Sequence, residues 1–199
     1  MKYFISSYNQ DCEWVKDYTD DFEIWEQGKD NSMPHRKVPH GGSDICDKFG
    51  WIIENYNKLP DKVVLAKANL FKYITKEEYD IIKNNNTFTP ILTQYHKTYA
   101  DGVSQVNFYR DNIYWERNDG WYLAAHMATR AEELMKSLNI IDMKYLPFAP
   151  GANYILPKEN ILKYDRDWYE YLRSFLISGT NLYPGEAQIM ERGLYTLWS

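Results

Sequence analysis

The stretch KVPHGGSDICDKF, residues 37–49, combines residue types that can bind a ligand. Gly41 and Gly42 have no side chain, so the backbone there can approach a bound molecule closely. Asp44 follows two residues later, and its carboxylate can accept hydrogen bonds from a ligand. The same residues can instead start a helix, with Ser43 or Asp44 capping its first turn. The sequence leaves both interpretations open.

The elements that must position these residues alternate along the first 70 residues. Residues 2–7 (KYFISS) and 21–27 (DFEIWEQ) have the composition of strands. Residues 62–66 (KVVLA) form a continuous apolar run, which is typical of a strand buried in a parallel sheet. Between them, apolar residues recur at the spacing of one helix face, at Ile45, Phe49, Ile52, Ile53 and Tyr56. Such alternation predicts an open α/β sheet with right-handed crossovers.

Ligands of open α/β sheets bind at the carboxyl ends of the strands. Three polar segments follow the predicted strands, at residues 7–11, 26–28 and 67–69. They offer an aromatic face for stacking, amides for hydrogen bonds and a lysine that can offset phosphate charge. The candidate ligand-binding residues at this edge are Ser7, Tyr8, Asn9, Glu26, His40, Gly41, Gly42, Asp44, Lys67 and Asn69.

The second half of the chain is less regular. Thr75 and Glu78 have the spacing of a capping box at a helix start. Further elements are expected as strands within 105–116, a helix over 121–138, a short strand over 153–156, a helix over 167–177 and a last helix after Pro184 and Gly185. Neither a repeat nor a linker interrupts the 199 residues, so one domain over 1–199 is predicted.

Composition argues against several classes of protein. The net charge is −5 without a basic stripe, so a nucleic-acid partner is not expected. The sequence has no apolar run of about 18 residues, so no membrane span is expected. The two isolated cysteines, Cys12 and Cys46, suggest neither a disulfide framework nor a zinc site, which favours a reducing, cytoplasmic setting.

Four segments occur in the order found in one known family: YNQDCEWV, VPHGGSDICDKFGWIIENYNKLPDKVVLAKAN, FAPGANYILPKENI and EAQIMERGLYTLW. Together they resemble the small glycosyltransferase-like domains of fungi, bacteria and large DNA viruses. The resemblance covers most of the chain, although each motif is weak by itself. It implies a single Rossmann-like GT-A domain with a mixed central sheet flanked by helices. The implied partners are a nucleotide sugar, with UDP as the nucleotide, and a glycan or protein-linked glycan acceptor; for a viral member the setting is the host cytoplasm.

The chain departs from the GT-A pattern after the third strand. Metal-dependent enzymes of this fold carry an Asp-x-Asp pair there, which holds Mn²⁺ or Mg²⁺ against the diphosphate. Here the residues are Lys67-Ala68-Asn69. The resemblance still implies a divalent cation, for which Asn69 and Asp101 are the candidate ligands. Asp101 lies in TYADGVS and can equally be a turn residue.

Inverting glycosyl transfer needs a general base for the acceptor hydroxyl. The candidates are Glu186, Glu191 and Asp101, and Glu186 is favoured because the start of the last helix is expected near the ligand edge. An acid at a helix start can also simply interact with the helix dipole. On the acceptor side the candidates are Gly151, Asn153 and Arg192.

Two alternatives remain open from the sequence. The missing Asp-x-Asp pair favours a non-catalytic nucleotide- or carbohydrate-binding module of the same fold. A nucleotide-binding hydrolase is a weaker alternative.

Overall fold

The computed structural model describes residues 1–92, 104–107, 128, 130–139, 145–177 and 184–199. The strands in this part of the chain are β1 (Lys2–Ser7), β2 (Phe22–Glu26), β3 (Arg36–Lys37), β4 (Lys62–Lys67), β5 (Thr89–Pro90), β6 (Ser104–Asn107), β7 (Tyr145–Phe148) and β8 (Tyr154–Pro157). The α-helices are α1 (Ser43–Asn55), α2 (Lys76–Ile82), α3 (Ala131–Ser137), α4 (Lys158–Ile161), α5 (Arg166–Ile177) and α6 (Gly185–Trp198). Short 3₁₀ helices cover Glu13–Asp17, Tyr56–Lys58 and Leu70–Lys72.

Six of these strands form one mixed sheet in the order β3-β2-β1-β4-β8-β5. The neighbours β3, β2, β1 and β4 run parallel, whereas β8 is antiparallel to both β4 and β5. A separate antiparallel pair is formed by β6 and β7. The expectation of an α/β fold with a mixed sheet flanked by helices is therefore confirmed.

The sheet has a hydrophobic core on each face because successive strand residues point to opposite sides. Phe4 and Leu65 belong to the core that contains side chains of α1, α5 and α6. Ile5 and Val64 belong to the core on the other face, together with Val15 of the first 3₁₀ helix and side chains of α2. The central strands β1 and β4 are thus covered on both sides, as the apolar run at 62–66 predicts.

The start of α1 differs from the expectation. Its N-cap is Gly42, in a left-handed conformation with φ of +71° and without a side chain that could cap the helix. Ser43, the first helical residue, accepts a hydrogen bond from Ile45 N at 3.3 Å through its Oγ. The prediction that Ser43 or Asp44 is the N-cap residue was therefore wrong, although the Ser43 side chain does bind a backbone amide of the first turn. The capping box at the start of α2 is confirmed, because Thr75 and Glu78 exchange backbone-to-side-chain hydrogen bonds of 3.1 and 3.2 Å.

The remaining predicted helices and strands either occur with ends shifted by one or more residues or lie partly outside the described residues. The strand expected over 21–27 is β2 at 22–26, and the one expected over 153–156 is β8 at 154–157. The helices expected over 167–177 and after Gly185 are α5 and α6. Within the ranges 105–116 and 121–138, the described residues are most of β6, all of α3 and residues 128, 130 and 138.

Candidate functional site

The carboxyl ends of β1, β2 and β4 lie level with one another. Ser7 pairs with Glu26 across β1 and β2, and Ser6 pairs with Lys67 across β1 and β4. A cavity of about 300 Å³ opens at this edge, and we call it the strand-end cavity. It is lined by Ser6, Ser7, Tyr8, Gln10, Gln27, Ser43, Asp44, Lys67, Asn69 and Gln188. Several residues expected at this edge from the sequence therefore share one cavity.

Glu26 organises the turn that follows β1. Its fully buried carboxylate accepts hydrogen bonds from Ser7 Oγ (2.6 Å), Asn9 N (2.9 Å), Gly28 N (2.6 Å) and Asn31 Nδ2 (3.1 Å). Burial raises the pKa of Glu26, but these hydrogen bonds outweigh burial and hold the pKa below its ordinary value. The carboxylate of Glu26 thus fixes the shape of the turn, and it is absent from the described lining of the cavity.

The turn carries one member of an aromatic pair, Tyr8, which lines the strand-end cavity, whereas its partner His40 lines a neighbouring cavity. Tyr8 is 46% exposed and stacks on His40, with ring centroids 4.5 Å apart and planes inclined by 24°. Asn9 adopts a left-handed conformation with φ of +53° and accepts a hydrogen bond from Lys29 N at 2.5 Å through its side chain. The structure thus brings together two aromatic residues that the sequence places 32 positions apart.

Three charged side chains form a cluster, and two of them, Asp44 and Lys67, line the strand-end cavity. Asp44 binds Lys48 Nζ at 2.5 Å through Oδ2 and Lys67 Nζ at 3.1 Å through Oδ1. Lys48 is fully buried and also donates to the carbonyl of Ala152 at 2.6 Å. Burial raises the pKa of Asp44, but the two ammonium groups outweigh burial and hold the pKa below its ordinary value. Lys48 was not predicted, although its position four residues after Asp44 is a signal for such a pair.

Two amide oxygens beside the cluster lack a hydrogen-bond partner among the described residues. They are Asn69 Oδ1, after β4, and Gln188 Oε1, on α6, and both atoms are buried. A buried polar atom without a partner is destabilising, so such atoms often mark a place where water or a ligand binds. Gln188 was not predicted, because nothing in the sequence shows that α6 reaches the end of β4.

Of the residues expected on the acceptor side, Asn153 contacts the end of β4, and Gly151 and Arg192 contact α6. Asn153 is fully buried and accepts a hydrogen bond from Lys67 N at 2.8 Å. Gly151 has φ of +89° and donates from its backbone to Glu191 Oε1 at 2.8 Å. Arg192 is fully buried and donates to the carbonyl of Gln188 at 3.0 Å. These three residues are not among the described lining of the cavity.

The two candidate bases on α6 have different neighbours. Glu186 is 4% exposed, and its Oε1 accepts a hydrogen bond from Arg130 N at the start of α3 (2.9 Å). Glu191 Oε1 accepts a hydrogen bond from Gly151 N, two residues before the Asn153 that contacts Lys67, and, against the effect of burial, the charge of Glu191 raises the pKa of Lys67. Gln188, two residues after Glu186, lines the strand-end cavity, as expected for the start of α6, but neither glutamate is in the described lining of the cavity. Asp101, the third candidate, lies outside the described residues.

A second cavity of about 310 Å³ lies beside the first, among β2, β3, α1 and α5. Trp25, Val38 and Leu176 give it apolar walls, and Arg173 and Asp47 add charged groups. Asp47 also accepts hydrogen bonds at Oδ2 from Ser6 Oγ (2.5 Å) and Gln27 Nε2 (2.8 Å), both of which line the strand-end cavity.

Asp47 is a titratable group that the sequence did not indicate. Burial raises the pKa of Asp47 to about 7, with the hydrogen bonds from Ser6 and Gln27 acting in the opposite direction. In an amphipathic helix an aspartate is expected on the solvated face, and Asp47 is instead 3% exposed.

Among the residues that the structure describes, no three His, Cys, Asp or Glu side chains lie close enough together to hold a metal ion. None of the helices in the described ranges is long and apolar enough to cross a membrane. No family model matches the chain, and no curated protein or solved structure matches it significantly.

Proposed function

We propose that this protein is a nucleotide-sugar-dependent glycosyltransferase, which moves a sugar from a UDP-sugar to a glycan or protein-linked glycan. The proposal combines the sequence resemblance with one structural observation. This observation is the strand-end cavity at the carboxyl ends of parallel strands, which holds a lysine ammonium and two amide oxygens without a partner among the described residues. That edge is where open α/β sheets bind nucleotides.

The chemistry of a nucleotide sugar matches the groups in and around this cavity. Tyr8 and His40 offer aromatic surface for the base, and Lys67 offers a positive charge for the diphosphate. Asn69 Oδ1 and Gln188 Oε1 can accept hydrogen bonds from sugar hydroxyls. Gly41 and Gly42, which precede α1, line the second cavity, which lies beside the strand-end cavity.

Glu191 is our preferred candidate for the general base, since it binds Gly151 N in the segment that contacts Lys67 and its charge acts on Lys67, whereas Glu186 binds the start of α3. A general base contributes about 10²–10⁴-fold in rate. Glu191→Gln should slow sugar transfer by this order and leave nucleotide affinity near that of the wild type. Glu186→Gln is the matched control, and it should change stability more than rate.

The test of nucleotide binding is thermal unfolding of the full chain with UDP, GDP, CMP and their sugars. A ligand at 100 times its Kd stabilises the folded state by about 2.7 kcal/mol. For a chain of this size, that corresponds to a rise in Tm of about 5–11 °C. UDP and UDP-sugars should raise the Tm most. If none of these compounds raises the Tm at millimolar concentration, the proposal is wrong.

One observation favours a second candidate, a non-catalytic module that binds a nucleotide sugar. Among the described residues that line the strand-end cavity, Asp44 supplies the carboxylate, and both of its oxygens are bound to lysines. A carboxylate bound in this way is a poor proton acceptor. Binding of UDP-sugars without either hydrolysis or transfer would support this candidate.

A further inference from the structure

We propose that Lys67 replaces the divalent cation, so that the diphosphate of the nucleotide binds this protein without a metal ion. The inference rests on the proposed function and makes it more specific, because it names the group that neutralises the diphosphate. It also replaces the expectation that Asn69 and Asp101 hold Mn²⁺ or Mg²⁺.

Lys67 is held in a defined position at the end of β4. Its backbone amide donates to Asn153 Oδ1 at 2.8 Å, and its Nζ lies 3.1 Å from Asp44 Oδ1. The same Nζ lies 5.8 Å from the centre of the Tyr73 ring. The side chain keeps 22% of its surface exposed, and it lines the strand-end cavity. A fixed ammonium with an open side can bind a phosphate oxygen with little loss of entropy.

The surroundings keep Lys67 charged. Burial lowers the pKa of Lys67, but the carboxylates of Asp44 and Glu191 outweigh burial and raise the pKa above its ordinary value. Asp44 is shared with Lys48, whose Nζ is closer to it, at 2.5 Å against 3.1 Å for Lys67. Lys67 is therefore the partner with both solvent access and the longer contact, which leaves it able to bind a ligand oxygen.

The oxygen atoms that the described residues place at this edge do not suit Mg²⁺ or Mn²⁺. Such ions prefer carboxylate and phosphate oxygens in a compact set. In the described lining of the cavity, the carboxylate is that of Asp44, and its two oxygens already bind Lys48 and Lys67. Asn69 Oδ1 is a neutral oxygen, and a cation bound there would lie near the Lys67 ammonium. These described oxygen atoms thus fit a metal ion poorly, whereas the Lys67 ammonium in the same lining can donate to a phosphate oxygen.

The experiment measures the affinity of the full chain for UDP and for uridine by calorimetry, first with excess EDTA and then with Mn²⁺. The wild type should bind UDP with the same Kd, within about twofold, in both conditions. Lys67→Ala should weaken UDP binding at least about tenfold, because hydrogen bonds to charged groups contribute about 1.5–3 kcal/mol. The same variant should bind uridine as the wild type does, since uridine has no phosphate.

Lys62→Ala is the matched control. Lys62 starts the same strand at its other end, where its Nζ binds the carbonyl of Asn85 and the side chain of Asn86. This variant should bind UDP as the wild type does. UDP binding that requires Mn²⁺ overturns the inference and leaves the proposed function standing. An equal loss for uridine in Lys67→Ala also overturns it, because Lys67 would then only shape the site. If neither UDP nor uridine binds the wild type, the proposed function itself fails.

Discussion

Asp44 and Asp47 lie one turn apart on α1, and their surroundings favour opposite states of charge. Asp44 is buried next to two ammonium groups, which hold the pKa of its carboxyl below the ordinary value. Asp47 is buried with two neutral donors, and burial raises the pKa of its carboxyl to about 7. Each aspartate therefore leads to a different prediction.

Asp44→Asn should destabilise the protein by about 3 kcal/mol, because it removes the counter-charge of the fully buried Lys48. A role as helix cap would predict little effect, since asparagine is also a good cap, but Asp44 does not cap α1. Urea unfolding gives the free energy of unfolding. Asp80→Asn is the control, because Asp80 is half-exposed in its pair with Lys83 and its loss should matter much less. Equal effects in the two variants would contradict the prediction.

Asp47 should make stability depend on pH. Its pKa is about 7 in the folded state and about 3.8 when unfolded, so unfolding releases a proton between these values. Stability should therefore fall as pH rises from about 4 to 7, by at most about 4 kcal/mol at about 1.4 kcal/mol per pKa unit.

Asp47→Asn should remove this dependence, because asparagine can still accept from Ser6 and Gln27 without becoming charged. The measurement is urea unfolding of both proteins from pH 4 to 8. The variant should gain stability over the wild type as pH rises. Parallel curves would show that Asp47 ionises normally.

At the scale of elements, the entry into α1 depends on its two glycines. Gly42 has φ of +71°, and a Cβ there would lie 2.7 Å from Cys46 Cβ and 2.9 Å from the carbonyl of Leu176. Gly41 has φ of +155°, but a Cβ there would have no atom within 4 Å. Both residues need the freedom of glycine, and Gly42 also needs the space.

Gly42→Ala should therefore lower the free energy of unfolding more than Gly41→Ala does. The left-handed conformation costs an L-residue about 1–2 kcal/mol, and the contacts with Cys46 and α5 add to this. Thermal unfolding of the two variants gives the comparison. A smaller effect at Gly42 than at Gly41 would show that the backbone before α1 relaxes to admit the methyl group.

The sequence predicts those elements whose apolar pattern is strong. The helix face from Ile45 to Tyr56 and the apolar run at 62–66 correspond to α1 and β4. It does not predict that β8 pairs with β4 in the antiparallel direction, because that pairing depends on contacts between residues 90 positions apart. It also mistakes the cap of α1, because a serine or an aspartate near a helix start suggests a side-chain cap even where the backbone of a glycine provides the turn.

At the scale of the whole molecule, the location of the candidate site was predictable, but the role of each residue in it was not. Parallel strands bring their carboxyl ends to one edge, so Ser7 and Lys67 were expected close together, and they line one cavity. The packing of segments that are distant in the sequence decides which carboxylates are bound by other groups of the protein. The carboxylate of Glu26 accepts hydrogen bonds within its own turn, and the carboxylate of Asp44 binds two lysines. Gln188, which lies far along the sequence on α6, lines the same cavity.

Amide hydrogen exchange with and without UDP, in the absence of metal, tests most directly the claim that a nucleotide binds at the carboxyl ends of β1 and β4. Bound UDP should slow exchange in the turn at 8–10 and in the segment 67–69, where backbone amides lie beside the strand-end cavity. Residues 80–83 at the end of α2 should be unchanged and serve as an internal reference. Unchanged exchange in both segments under saturating UDP, or slowing confined to the second cavity around Trp25 and Arg173, would contradict the account.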